Sequence, residues 1–95
     1  MADEPTITVL IPGPLREYSG SDPELTLAAS TVSGALAELE RSHSALHRCV
    51  CDEQGRVRRH INLFVNADHI RERDDLDTRL KTGDVLSILP AVSGG

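Results

Sequence analysis

Residues 85–95, VLSILPAVSGG, give the strongest indication of the fold, because they contain the last strand, the end of that strand and a short tail. Val85–Leu89 is dominated by aliphatic side chains and is bounded by turn residues, which predicts a strand. Pro90 has no N–H to donate, so strand pairing is expected to stop there. The sequence therefore predicts one domain over residues 1–90 and a flexible tail over residues 91–95 that ends in two glycines.

Three upstream segments have the alternating pattern of half-buried strands. Thr6–Ile11 and Glu24–Ala28 are separated by prolines, glycines and serines, which predicts an opening hairpin. His60–Val65 predicts a further strand, followed by a turn and a short return strand at residues 69–71. The side chains expected to face the core from the long strands are Ile7, Val9, Ile11, Ile61, Leu63, Val65, Leu86 and Ile88.

A single amphipathic helix is predicted between the second and third strands. Thr31 can cap a helix that runs from Val32 to His43. Val32, Leu36 and Leu39 fall on one apolar face of that helix, and the sheet must cover this face.

The segment between this helix and the third strand is predicted to form a hairpin over residues 48–59, because residues 52–55 have turn composition. Cys49 and Cys51 would be two reduced thiols of that hairpin, since two cysteines make no disulfide framework. A zinc site is conceivable, but the spacing matches no common zinc module, so no metal is expected. The residues considered for such a site are His43, His47, Cys49 and Cys51.

The order of these elements is ββαβ(β)β, with the first and last strands able to pair in the centre of a sheet. This order predicts the α+β class, and within it a β-grasp (ubiquitin-like) fold in which a mixed sheet packs on one main helix.

Composition excludes several classes of function. The chain has 95 residues, only two aromatic side chains and a net charge of −5. A nucleic-acid surface is expected to be basic and to carry stacking rings, so nucleic acid is not an expected partner. An acidic protein remains able to dock on a basic enzyme surface. The sequence contains neither a membrane-spanning run nor a signal-peptide pattern, so a cytoplasmic location without membrane contact is expected.

The tail is the candidate for the chemistry. Its α-carboxyl at Gly95 has an ordinary pKa of about 3.5, so it is ionised at neutral pH and can attack the α-phosphate of ATP. Glycines lack a Cβ and can enter a narrow channel. The residues expected to be inserted into partner enzymes are Ala91, Val92, Ser93 and Gly94. Taken alone, these residues fit an idle, frayed tail equally well.

A partner-docking patch is expected on the open face of the sheet. Leu10, Phe64 and Leu89 point away from the inward side chains of their strands. If the strands are neighbours, these residues form an apolar patch beside the tail, as docking surfaces do. The alternative is that the predicted hairpin at residues 48–59 covers part of the patch.

The whole chain resembles the MoaD/ThiS family of sulfur carriers, and its ending is the most specific part of the match. Within the family it is most similar to the carriers of actinobacterial cysteine biosynthesis, although Ser93, His60 and the two cysteines depart from their pattern. The matching segments are Ile7–Ile11, Leu15-Arg16-Glu17, Thr31-Val32, Arg58-Arg59-His60-Ile61-Asn62, Val65-Asn66, Leu76–Leu80, Lys81-Thr82-Gly83-Asp84 and Leu89–Gly95.

The resemblance implies a carrier cycle in which the chain supplies no catalytic side chain and binds no cofactor. An E1-like enzyme would use ATP and Mg²⁺ to adenylate Gly95, and a sulfur donor would convert the adenylate into a thiocarboxylate. A biosynthetic enzyme would then accept the sulfur. For cysteine biosynthesis this would be a pyridoxal-phosphate-dependent cysteine synthase, followed by a metalloprotease that releases cysteine.

Other functions remain open at this point. The chain could be the small subunit of molybdopterin synthase, with the large subunit as partner, or a carrier for a thiolated secondary metabolite. It could also be a ubiquitin-like protein modifier, or a β-grasp interaction module with an idle tail.

Overall fold

The computed structural model describes residues 4–91. Its centre is a five-stranded sheet in the order β2-β1-β5-β3-β4. β1 and β5 pair in parallel, and the other neighbours are antiparallel. The β-grasp prediction is therefore confirmed, including the pairing of the first and last strands. The strands are β1 (Thr6–Leu10), β2 (Glu24–Ala28), β3 (Ile61–Val65), β4 (Asp68–His69) and β5 (Val85–Pro90).

The inner face of the sheet packs on the helix α1 (Val32–Ser42). The Thr31 hydroxyl accepts a hydrogen bond from the Gly34 N–H at 3.0 Å, which confirms the predicted cap. The helix residues that the apolar pattern assigned to the core are buried, as are all eight strand residues expected there. The core is correspondingly aliphatic: among residues 4–91, neither Tyr18 nor Phe64 is one of the buried core residues.

The predicted hairpin over residues 48–59 is wrong in its first arm. Residues 44–50 form a second helix, α2 (Ser44–Val50), which buries Leu46 and Val50 at helical i, i+4 spacing. The pairing that remains of the hairpin is a bridge between Cys51 and Val57. The turn itself is confirmed, because the Asp52 carboxylate accepts from the backbone N–H groups of residues 54 and 56. The four residues 48–51 are too few to distinguish the helical period from the strand period. The helix forms because it buries two aliphatic side chains against α1.

The connections between these elements include short 3₁₀ helices at Gly13–Ser19, Ile70–Glu72 and Asp75–Asp77. The first was not predicted; Pro12 and Pro14 begin it, because proline suits the first turn of a helix. The expected return strand at residues 69–71 is shorter than predicted, since it gives way to the second of these helices after His69.

The Asn66 and Asp84 side chains clamp β3 to β5 at the end of the sheet that is far from the tail. The Asn66 Nδ2 donates to the Asp84 carboxylate at 3.1 Å, and the Asn66 Oδ1 accepts from the Val85 N–H. The Lys81 N–H also donates to Asp84 and, as the main cause, lowers the pKa of that carboxyl. The polar residues of the Val65-Asn66 and Lys81–Asp84 motifs therefore have a structural role.

Candidate functional site

The strand order brings the three residues of the expected docking patch onto one open face. β5 lies between β1 and β3, and Ser87 of β5 is the register partner of both Leu10 and Phe64. Leu89 lies two residues farther along β5, on the same face, because strand side chains alternate with a period of two. We call Leu10, Phe64 and Leu89 the apolar patch.

The apolar patch is accessible to a partner. Leu10 is 39% exposed and Leu89 is 46% exposed, and Phe64 is half-buried. The Phe64 ring meets the His69 ring edge-on, with centroids 5.1 Å apart. His69 is fixed in turn by Asn62 and by the N–H of Arg71. His69 of β4, which was not predicted to belong to the site, thus contacts Phe64 of the apolar patch.

The segment expected as a possible cover for the patch lies on the other side of the sheet. α2 packs against α1, and a cleft between them is lined by Leu36, Glu40, Arg48, Cys51 and Arg58 among others. Because these residues flank the helix layer, they leave the open face uncovered.

The tail begins at the same end of the sheet as Leu89. The expected end of pairing at Pro90 is wrong by one residue: Pro90 lies opposite Ile61 within β5, and the Ala91 N–H still donates to the His60 carbonyl. Proline removes its own donor without preventing its neighbour from donating. Ala91 therefore leaves from the centre of the sheet, held on the β3 side. The predicted site residues Val92, Ser93, Gly94 and Gly95 lie outside the described residues.

Tyr18 is a candidate contact residue that the sequence did not single out. Its ring is 40% exposed on the first 3₁₀ helix, which follows the carboxyl end of β1 and so lies at the end of the sheet where the tail begins. The aromatic residue was visible in the sequence, but the helix that presents it was not.

The two thiols do not lie together on one hairpin arm, contrary to expectation. Cys49 belongs to α2, and Cys51 follows the helix and is 2% exposed. Burial raises the pKa of Cys51 to about 11, with the Asp52 and Glu40 charges adding to the effect. Burial also raises the pKa of Cys49. Thiolate is the reactive form, so these environments suppress cysteine chemistry at neutral pH.

We expect Cys51 to resist iodoacetamide at pH 7.5 in the native protein and to react once urea unfolds it. Mass spectrometry of alkylated peptides measures this, with Cys49 as the internal comparison because it is half-buried. The folded state holds the Cys51 proton more tightly than the unfolded chain, so this contribution to stability is full below pH ~8.5 and is lost as pH rises towards 11. Rapid native alkylation of Cys51 would contradict the described burial.

Within residues 4–91, no group of three His, Cys, Asp or Glu side chains is arranged to hold a metal ion. In the same part of the chain, no helix is long and apolar enough to cross a membrane.

Comparison with known proteins places this geometry in a family. The model described as the ThiS family matches residues 9–95. The sulfur carrier protein CysO of Mycobacterium tuberculosis is 32% identical over 91 residues, which cover 94% of this chain and 98% of that protein. A chain in the crystal structure of the Amycolatopsis orientalis BexX/CysO complex is 34% identical, with a TM-score of 0.85, covering 94% of this chain and 99% of that one. Small archaeal modifier protein 1 of Methanosarcina acetivorans is 33% identical, with a TM-score of 0.83 and full coverage of both chains.

The sheet order, the main helix α1 and the tail that leaves the central strand define a ubiquitin-like β-grasp protein. The chain belongs to the ThiS family. The resemblance to the MoaD/ThiS sulfur carriers, and within them to the cysteine-biosynthesis carriers, is confirmed.

Proposed function

We propose that this protein is a sulfur carrier whose working group is the α-carboxylate of Gly95. An E1-like enzyme with ATP and Mg²⁺ adenylates that carboxylate, and a sulfur donor displaces AMP to leave a C-terminal thiocarboxylate. The carrier binds no cofactor and contributes no catalytic side chain; its residues dock the partners and present the tail.

The observation that supports this proposal best is where the tail begins. Ala91 follows Pro90, the last residue of the central strand β5, and so lies two residues beyond the exposed Leu89 of the apolar patch. Four further residues reach at most ~14 Å when extended, so an enzyme that receives Gly95 must contact the surface around Pro90. The accessible apolar patch can dock a partner, and the tail that begins beside it can present Gly95 to the same partner.

Cysteine biosynthesis is the branch we favour, because the relatives of high coverage include two CysO chains. In that branch the acceptor of the sulfur is a pyridoxal-phosphate-dependent cysteine synthase, and a metalloprotease releases the product. The Amycolatopsis orientalis CysO forms a crystallised complex with BexX, which supports docking of this fold on a partner protein. The molybdopterin synthase large subunit and a secondary-metabolite enzyme are the alternative acceptors.

Intact-mass spectrometry tests the carrier function directly. The protein is incubated with E1-like enzymes, ATP, Mg²⁺ and a sulfide source. We expect a mass increase that corresponds to the exchange of one oxygen for sulfur, localised to Gly95 by fragmentation. Omission of ATP is the control. No mass change with several activating enzymes that bind the chain would leave the interaction-module alternative.

Protein modification is a second candidate function, favoured by the similarity to a small archaeal modifier protein over the full length of both chains. A modifier uses the same activated tail to form isopeptide bonds with lysines. Lysine-linked adducts of the wild-type chain in cell extract, absent after Gly95 is removed, would support it.

We expect Phe64→Ala to weaken docking on an activating enzyme by more than ~1 kcal/mol, as for an interface anchor, while changing the free energy of unfolding little. The ring is half-buried on the open face, meets the His69 ring edge-on and is not one of the buried core residues. Calorimetric binding and urea unfolding measure the two effects. A large loss of stability with unchanged binding would place Phe64 in the core and remove it from the docking surface.

A further inference from the structure

A cluster of basic side chains lies beside the root of the tail, although the chain as a whole is acidic. We call Arg56, Arg58, Arg59 and His60 the basic rim. They line a shallow groove of about 470 Å³ together with Val57 and Asp52. The His60 carbonyl accepts from the Ala91 N–H, so the basic rim runs directly alongside the start of the tail.

The charges of the basic rim are only partly compensated within the chain. Residues 56–60 hold three of the ten lysines and arginines and no acidic residue. Arg56 is paired with Asp52 at 3.4 Å. Within residues 4–91, no carboxylate lies within 4 Å of Arg58 or Arg59. Arg58 donates instead to the Arg48 carbonyl, and Arg59 is exposed.

We propose that the basic rim binds carboxylate side chains on the partner enzyme at the mouth of the channel that receives the tail. This inference rests on the proposed function, because it needs a partner that takes up Gly95. The reach of residues 92–95 keeps the channel mouth within ~14 Å of the tail root. The basic rim adjoins that root on the β3 side, because its His60 carbonyl accepts from the Ala91 N–H.

The local charge of the basic rim and the net charge of the chain favour partner surfaces of opposite sign. The net charge of −5 alone favours a basic enzyme surface. Salt screens charges beyond about 8 Å at physiological ionic strength, so groups at the contact dominate over the distant acidic residues. The basic rim contains arginine and no lysine. A guanidinium matches a carboxylate with two parallel hydrogen bonds, which makes acidic side chains the better-fitting partner.

Arg59→Glu tests this proposal, because this side chain has no hydrogen-bond partner among the described residues and its replacement should leave the fold intact. Association with a panel of E1-like enzymes is measured without ATP and again with ATP, at low and at high salt. We expect Arg59→Glu to slow association with the enzyme that binds wild type by at least ~10-fold at low salt and to flatten the salt dependence. Arg59→Lys should retain the association rate and dissociate faster.

Arg79→Glu is the matched control. It makes the same change of charge at an exposed position whose backbone bridges to Thr31, at the opposite end of the molecule. Its association rate should stay within about twofold of wild type. Equal effects of the two reversals would show that only net charge matters and would overturn the proposal. An Arg59 effect seen only with ATP present would assign the rim to nucleotide phosphate and would also overturn it, as would wild type that binds none of the enzymes.

The same samples separate this inference from the carrier function. At limiting enzyme, Arg59→Glu should gain sulfur at Gly95 more slowly than wild type, because the basic rim contributes to docking. Arg79→Glu should gain it at the wild-type rate. If wild type binds through the basic rim but never gains sulfur, the proposed carrier function is wrong and the docking role of the basic rim stands. If wild type gains sulfur and Arg59→Glu associates as fast as wild type, the carrier function stands and the proposed role of the basic rim in docking is wrong.

Discussion

Deletion of Gly95 is expected to abolish sulfur loading completely while leaving the fold unchanged. The α-carboxylate must lie in line with the α-phosphate of ATP, and a tail shortened by one residue withdraws it by ~3.6 Å. Misplacement of a reacting group by ~1 Å can already cost ~100-fold in rate. Intact-mass spectrometry measures loading, and circular dichroism with urea unfolding measures the fold.

Two further changes at the tail test separately the position of the carboxylate and the need for glycine at residue 94. Added residues after Gly95 should also prevent loading, because they move the carboxylate beyond the reacting position. Gly94→Val should slow loading, since a branched Cβ crowds a channel that fits glycine. Ala91→Gly, at the root of the tail, is the matched control and should load normally. Sulfur loading of the chain that lacks Gly95, at the wild-type rate, would exclude Gly95 as the reacting residue.

Leu39→Ala is expected to produce the largest loss of stability among single core truncations of α1, about 3–5 kcal/mol. Leu39 is 1% exposed and lies in the cluster between α1 and the inner face of the sheet. The loss combines the transfer free energy of the removed atoms with a cavity that the rigid sheet cannot close. A small domain has only about 5–15 kcal/mol in total, so the variant should unfold at a much lower urea concentration.

Leu36→Ala and Glu40→Ala provide the comparison on the same helix. Leu36 is 5% exposed and borders the cleft beside α2, where neighbours can relax, so we expect a smaller loss of about 2–4 kcal/mol. Glu40 is exposed, and its replacement should change the free energy of unfolding by less than ~0.5 kcal/mol. A Leu39→Ala loss below that of Leu36→Ala would contradict the described packing of α1.

Much of the candidate site could be predicted from strand alternation alone. A period of two assigned Leu10, Phe64 and Leu89 to the face opposite the core, and the structure confirms that they share it. Whether the hairpin region would cover them could not be predicted, because it depends on α2, whose short apolar pattern fitted helix and strand equally. His69 and Tyr18 were missed for a related reason: their positions depend on the short 3₁₀ segments that follow β4 and β1.

The order of the main strands and α1, the aliphatic core and the glycine tail were all predictable from the amino-acid sequence, because periodicity and turn chemistry are local properties. The basic side chains beside the tail root were not, since their position depends on tertiary pairing. The parallel pairing of β1 with β5 and the antiparallel pairing of β3 with β5 join residues far apart in the chain. Those pairings place Leu89, Ala91 and the arginines of residues 56–60 at one end of the sheet. A net charge of −5 gives no sign of that basic rim, because electrostatic contacts depend on distance in space and not on composition.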